Sequence, residues 1–260
     1  MTTIPLSNLE RQAQLAALID QHQRVSIEWV TQQFEISPAT ARRDLDTLED
    51  MGRIQRVHGG AIAIRQSPPE PPIHQRQNEQ ASEKRQIGLA AANLIEEGDT
   101  VFISGGTTPL EVARNIRKRR NLTVISNSLL ILNALSDIDA EGITFIGLGG
   151  LLRRGEQSMI GHITEQALAE VRADKIFMGI RAIDSEVGLT NDFSPETATD
   201  RVILQLSRKL IIVADHTKCA RVAAAFVAPL NAMHTLVTDD KTPDTFVKAL
   251  RGQGINVVQS

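Results

Sequence analysis

The sequence predicts an α/β protein of two domains, an N-terminal winged helix-turn-helix joined to a doubly wound domain on a mainly parallel sheet. Three features carry this expectation. Residues Ser67 to Pro72 read S-P-P-E-P-P, four of the ten prolines in six positions, and so few backbone donors favour an extended, solvated connector. Before that break, apolar residues recur at helical spacing and end in a glycine-turned hairpin. After it, short β-branched runs alternate with helical patterns: Val101 to Ser104, Leu122 to Ser126, Ile143 to Gly147, Lys175 to Gly179, Leu210 to Ala214, Thr235 to Thr238 and Ile255 to Val258. Near-continuous apolar strands between helices imply a parallel sheet covered on both faces. The expected boundaries are 1–66 for the first domain, 67–80 for a Pro-rich linker and 81–260 for the second.

In the first domain, Leu15, Leu18 and Ile19 give a helix over about Asn8 to Gln21 one buried face. Ile27, Val30 and Phe34 mark a second helix, and Glu35-Ile36-Ser37 a short turn. Ser37 is a good N-cap and Pro38 a good first residue for a third helix, whose Ala41, Leu45 and Leu48 form one stripe. At 100° per residue, Ala39 and Arg43 then project away from the stripe, flanked by Thr40 and Arg42. That face reads either as the base-contacting end of a recognition helix or as a solvated helix face with ordinary arginines. Downstream, Arg53, Arg56 and His58 precede the turn pair Gly59-Gly60 with no acid among them, as a wing lying along phosphate requires.

Composition narrows the function classes. The 260 residues carry 28 Lys+Arg against 31 Asp+Glu, a net charge of −3, so any nucleic-acid contact must come from a local cluster. The first 66 residues hold seven Arg and eight Asp+Glu, which disfavours a non-specific, charge-driven binder. With no Tyr and one Trp, base stacking on single strands is a poor reading and duplex DNA the better target. One cysteine and no spaced His and Cys ligands provide neither a disulfide nor a zinc site. No cofactor is expected. No apolar run approaches the ~20 residues that span a bilayer, and the N-terminus lacks an export pattern, so a cytoplasmic protein without membrane contact is expected.

In the second domain, Thr108-Pro109, Ser194-Pro195 and Thr242-Pro243 each look like an N-cap before a first-turn proline. The strand ending at Ser104 runs into Gly105-Gly106-Thr107-Thr108, where glycines, hydroxyls and free amides at a helix start can cradle an anion. An ordinary strand-to-helix turn is the alternative. Other strand ends add Ser126-Asn127-Ser128, Gly149-Gly150, Arg181 to Asp184, and Asp215 to Lys218. Ligands of open α/β sheets bind outside these carboxyl ends, with Lys218 a natural phosphate or hydroxyl partner. The basic run from Arg114 to Arg120 reads as a solvated helix end, and Cys219 as a structural thiol.

The run from Ile36 through Leu45, with Leu48-Glu49, Gly52 and Arg56 to Ala61, resembles the winged helix-turn-helix signature of the DeoR family of bacterial sugar-metabolism repressors. The resemblance spans nearly the whole chain and implies an effector domain similar to sugar-phosphate isomerases. It implies DNA contacts from Ser37, Ala39, Thr40, Arg42, Arg43, Arg53, Arg56 and His58. For a phosphorylated sugar or sugar-acid effector it points to Ser104, Gly105, Gly106, Thr107, Thr108, Ser126, Asn127, Ser128, Gly149, Gly150, Arg181, Asp184, Glu196 and Lys218. Two positions depart from the family pattern, where acids commonly stand and this chain has Ser104 and Arg181, so a ligand with a second anionic group is expected, the alternative being that Arg181 turns into solvent or pairs with Asp184 or Glu186. Isomerase chemistry needs a positioned base, which those two residues do not supply. The expectation is a non-enzymatic repressor of a carbohydrate-utilisation operon, acting as a dimer or tetramer because one winged domain reads few base pairs; a DNA-binding regulator that has lost effector sensing is the alternative.

Overall fold

The computed structural model describes residues 8–22, 24–50, 54–57, 59–63, 71–116, 119–136, 142–192 and 194–260. By its internal contacts the chain divides into two units, Met1–Gln66 and Ser67–Ser260. The first contains α1 (Asn8–His22), β1 (Arg24–Ser26), α2 (Ile27–Phe34), α3 (Pro38–Asp50), β2 (Ile54–Val57) and β3 (Gly60–Ala63). Its strands form an antiparallel sheet in the order β1-β3-β2, so the wing expected from sequence gains a third strand ahead of α2. The close pairing of β1 with β3 requires Gly60, because a Cβ there would lie 2.0 Å from the Val25 carbonyl oxygen. Ser26 caps α2 by accepting a hydrogen bond from the Trp29 amide at 3.1 Å. Glu35, at φ 52°, closes the helix in the left-handed region and turns the chain into α3.

The predicted stripe of α3 is the core of this unit. Ala41, Leu45 and Leu48 are buried with Leu15, Ile19, Val30 and Ile54, while Leu18 is only half-buried and Ala16 takes the deeper place. Burying such side chains contributes roughly 1.5 to 3 kcal/mol each relative to exposure. Arg53 and His58 lie outside the described residues.

The second unit runs α4 (Ile73–Arg76), α5 (Ala81–Ala92), β4 (Thr100–Ile103), α6 (Thr107–Asn115), β5 (Leu122–Ser126), α7 (Leu129–Ser136), β6 (Ile143–Gly147), β7 (Leu151–Arg153), β8 (Ser158–Ile160), α8 (His162–Ala169), β9 (Lys175–Met178), β10 (Ala182–Asp184), β11 (Gly188–Asn191), α9 (Ser194–Ile203), β12 (Leu210–Val213), β13 (Ala225–Ala228), β14 (Thr235–Thr238), α10 (Asp244–Gly252) and β15 (Asn256–Gln259). Seven strands, matching the seven apolar runs, form a parallel sheet in the order β15-β14-β12-β9-β4-β5-β6. Alternation along each strand sorts the core onto two faces. Val101, Ile103, Phe177, Ile211 and Val213 pack with α5, α6 and α7. Phe102, Ile176, Met178, Leu210 and Ile212 pack with α8, α9 and α10. Among the described residues no helix is long and apolar enough to cross a membrane.

Topology fixes where a ligand can enter. The chain steps outward from β4 to β5 and β6, then crosses to β9 on the other side of β4 and steps outward through β12, β14 and β15. The reversal lies between β4 and β9, where the connections leaving their carboxyl ends diverge and open a crevice.

Two expectations are corrected here. Residues 71–80 of the expected linker belong to the second unit: Ile73 is buried and its amide donates to the Gly155 carbonyl at 2.9 Å, while Arg76 is buried against Glu156. An apolar anchor and an ion pair outweigh the extended bias of the prolines beside them. Thr108 and Thr242 are not N-caps either. Gly106 holds that position for α6 at φ 131°, a conformation open essentially to glycine, and Pro243 holds it for α10.

Candidate functional site

In the first unit, the exposed face of α3 carries Ala39, Arg42 and Arg43, all away from the buried stripe. Ser37 begins the helix by accepting from the Thr40 amide at 3.2 Å, and the two hydroxyls lie 2.9 Å apart. Asp44, on the inward side, is buried and accepts from Arg11 Nε at 2.6 Å and Gln12 Nε2 at 2.9 Å. This bidentate clamp pins α1 to α3 and fixes how far the arginine face turns outward. Arg56, expected as a free cation on the wing, is instead tied to α3. Its Nε lies 3.3 Å from Asp46 and its amide donates to Glu49 at 2.8 Å. A wing strand so close to an acidic helix flank finds its counter-ion within the fold.

In the second unit, the crevice at the β4–β9 reversal is walled by Ser104, Gly105, Gly106, Thr107 and Thr108, by Asn127, by Arg181 and Glu196, and by Lys218. The first amides of α6 have no intrahelical acceptor and face developing negative charge favourably. Ser104 spans the reversal: its amide donates to the Phe177 carbonyl at 2.9 Å and its hydroxyl accepts from the Gly179 amide at 3.3 Å. Where an acid would bring charge, the serine joins the two strand ends.

Arg181 is buried, and its guanidinium donates to Asp192 at 2.8 Å rather than pairing with Asp184 or Glu186. Its amide donates to Asn191 Oδ1 at 3.0 Å, and Asn191 Nδ2 donates to Asp200 at 2.5 Å. Burial, with the neighbouring Glu196 carboxylate adding to it, pushes Asp200 well above the ordinary carboxyl range. Lys84 donates to the Arg76 carbonyl at 2.7 Å, and burial lowers its pKa against the attraction of Asp215. Burial pushes the Cys219 thiol up to about 12, so a neutral thiol packs there and a thiolate nucleophile is unavailable.

Several expected effector residues lie elsewhere. Ser126 donates to the Ile103 carbonyl at 2.7 Å and accepts from the Ser128 amide, which makes it a strand-end brace. Ser128 is buried behind the crevice wall. The Gly149 carbonyl accepts from Thr164, and a Cβ on Gly150 would lie 1.9 Å from the Thr164 hydroxyl, so this pair serves packing against α8. Asp184 accepts from the Glu186 and Val187 amides and shapes the β10–β11 turn. In their place the crevice takes Arg76, Lys84, Glu156, Ser158, Asn191 and Asp200. The spacing of Glu196 and Asp200, four apart on α9, was a legible signal for the last of these. The others come from remote segments.

A winged unit that exposes Arg42 and Arg43 on α3, and a polar crevice at the reversal of a doubly wound sheet, fit a two-part DNA-binding regulator with a sensor unit. Residues 11–67 match the DeoR-like helix-turn-helix domain and residues 79–240 the DeoR C terminal sensor domain. The chain belongs to the DeoR family and is a DNA-binding transcriptional regulator. It is 36% identical to the transcriptional repressor AccR of Agrobacterium fabrum over 91% of each chain. It is 32% identical to the glycerol-3-phosphate regulon repressor of Escherichia coli over 97% of this chain and 99% of that one. Among solved structures, ribose 5 phosphate isomerase A from Neisseria gonorrhoeae aligns at 15% identity over 53% of each chain, with a TM-score of 0.39.

Proposed function

We propose that this protein represses a carbohydrate-utilisation operon in the cytoplasm, and that a phosphorylated sugar or sugar acid bound in the crevice changes its affinity for operator DNA. The observation that carries this reading is the meeting of the Gly105–Thr108 loop, at the start of α6, with Arg76, Lys84, Arg181 and Lys218 around one crevice. Backbone amides at a helix start supply an anion site, and flanking cations favour a phosphate over a neutral sugar. The relatives named as repressors support the sign of regulation, and the name of one of them includes a phosphorylated polyol. A ligand can only shift operator affinity by the difference in its affinity for the two states of the regulator.

Specific reading by so small a winged unit calls for at least two copies, so the active species is a homo-oligomer on repeated half-sites. Selection of bound fragments from the native genome, followed by gel-shift titration with a panel of sugar phosphates, tests both parts. Paired half-sites beside sugar genes, released by one phosphorylated compound, are the expected result. Operator binding that no compound alters, or a monomer by light scattering both free and on DNA, overturns the reading.

A further inference from the structure

Three buried side-chain oxygens beside the crevice have no hydrogen-bond partner: Asn127 Oδ1, Ser128 Oγ and Ser158 Oγ. The three residues are 5%, 0% and 2% exposed, where a polar atom without a partner is costly and calls for a reason. Asn127 and Ser158 stand in the crevice wall with Gly105. Ser128 lies directly behind, since a Cβ on Gly105 would sit 3.3 Å from Ser158 Cβ and 3.8 Å from Ser128 Cβ. The three residues therefore meet at one corner, next to the loop that starts α6, with Asn127 and Ser158 in the crevice wall and Ser128 behind it.

The chemistry of that corner follows from which atoms are already engaged. Asn127 Nδ2 donates to the Met159 carbonyl at 2.9 Å, and the Met159 amide donates to the Asn127 carbonyl at 2.7 Å. Turning the side-chain amide over would set two carbonyl oxygens against each other, so Oδ1 is the atom left facing away. An amide oxygen only accepts, and a phosphate or carboxylate oxygen has no proton to give it. A hydroxyl does, and the serine hydroxyls can accept from or donate to a second one. The anion site at α6 and this corner are thus chemically complementary halves of one crevice.

We propose that Asn127 and Ser158, backed by Ser128, form a hydroxyl-reading subsite that selects the polyol portion of a phosphorylated ligand; this rests on the crevice being a sugar-phosphate site. The test is calorimetry on the full chain with ribose 5-phosphate, glucose 6-phosphate, sorbitol 6-phosphate and, as a phosphate without hydroxyls, methyl phosphate. Wild type should bind at least one of the first three more tightly than methyl phosphate. Ser158→Ala and Asn127→Leu should each lower that preference ~10-fold while leaving methyl phosphate affinity unchanged. Free Ser158→Ala protein should melt no lower than wild type, because the change deletes an oxygen that has no partner. A hydroxyl with a packing role would instead lower the melting temperature, and that outcome overturns the subsite. Variants that keep the wild-type preference, or a wild type that binds all four compounds alike, also overturn it and leave the phosphorylated-ligand reading standing. Wild type that binds none of the four overturns that reading, and the subsite with it.

Discussion

The guanidinium of Arg76 donates to the carboxylate of Glu156 across 80 positions of sequence, and both side chains are buried in the crevice wall. The pair brings a residue of the segment that follows the proline-rich stretch into the crevice. Arg76 is further held by donating to the Pro71 carbonyl at 2.7 Å, and Lys84 donates to the Arg76 carbonyl in turn. Breaking such a pair from one side leaves a buried charge without its partner. Arg76→Met and Glu156→Gln should each cost ~3 to 5 kcal/mol, and the double variant clearly less than their sum. Urea unfolding of the four proteins measures this, and strictly additive losses would show that the two groups are not coupled.

Arg43 sits on the exposed face of α3, opposite the buried Ala41, Leu45 and Leu48. Arg43→Ala should cost ~1 to 3 kcal/mol of specific operator binding and relax preference at one base position. Competition binding against single-base operator variants is the measurement. Unchanged affinity and unchanged preference would mean that another side chain of α3 reads that base.

Arg56 pairs with Asp46 in the free protein. A DNA phosphate must therefore compete with that carboxylate, and the Asp46→Asn variant should bind all duplexes more tightly. Arg56→Ala should weaken all sequences alike and lower the salt slope by about one phosphate contact. Salt titrations on operator and unrelated DNA check both signs. If Arg56→Ala leaves the slope unchanged, its pairing with Asp46 is purely internal.

Asp200 has a folded pKa raised by burial and by Glu196. Between about pH 4, where an unfolded aspartate titrates, and its higher folded value, the native chain binds more protons than the unfolded one. Wild-type stability should consequently fall as pH rises through that window, relative to Asp200→Asn, which has nothing to titrate. Thermal melts of both proteins across the window make the comparison. Parallel curves would mean that the carboxyl titrates alike in both states.

Arg181 reaches the crevice already neutralised by Asp192. Asp192→Asn should increase affinity for 6-phosphogluconate more than for glucose 6-phosphate, and Arg181→Ala should do the reverse, because a freed guanidinium can grip a second carboxylate. Calorimetry with both compounds decides it. Equal changes for the two ligands would remove Arg181 from charge selection.

Periodicity and end signals made the elements legible. The α3 stripe and the seven apolar runs each encode burial locally, since a helix or strand must put its apolar face inward wherever it is finally placed. The Gly105–Thr108 loop was legible for the same reason, as glycines and hydroxyls at a strand-to-helix junction fix local backbone chemistry. Arg181 was visible as an unusual charge, yet its partner Asp192 was not, because an ion pair depends on where two hairpin strands end.

The two-part architecture, the outward arginine face of α3 and the glycine-threonine loop before α6 are written in contiguous residues and were readable from them. Tertiary packing brings Arg76, Lys84 and Glu156 to one crevice, engages Ser126, Gly149, Gly150 and Asp184 in scaffold contacts, and ties Arg56 to Asp46. Sheet order places residues dozens of positions apart at one reversal between β4 and β9. Hydrogen-bond satisfaction then assigns each polar side chain to the nearest partner the fold supplies, and no local pattern records which partner that will be.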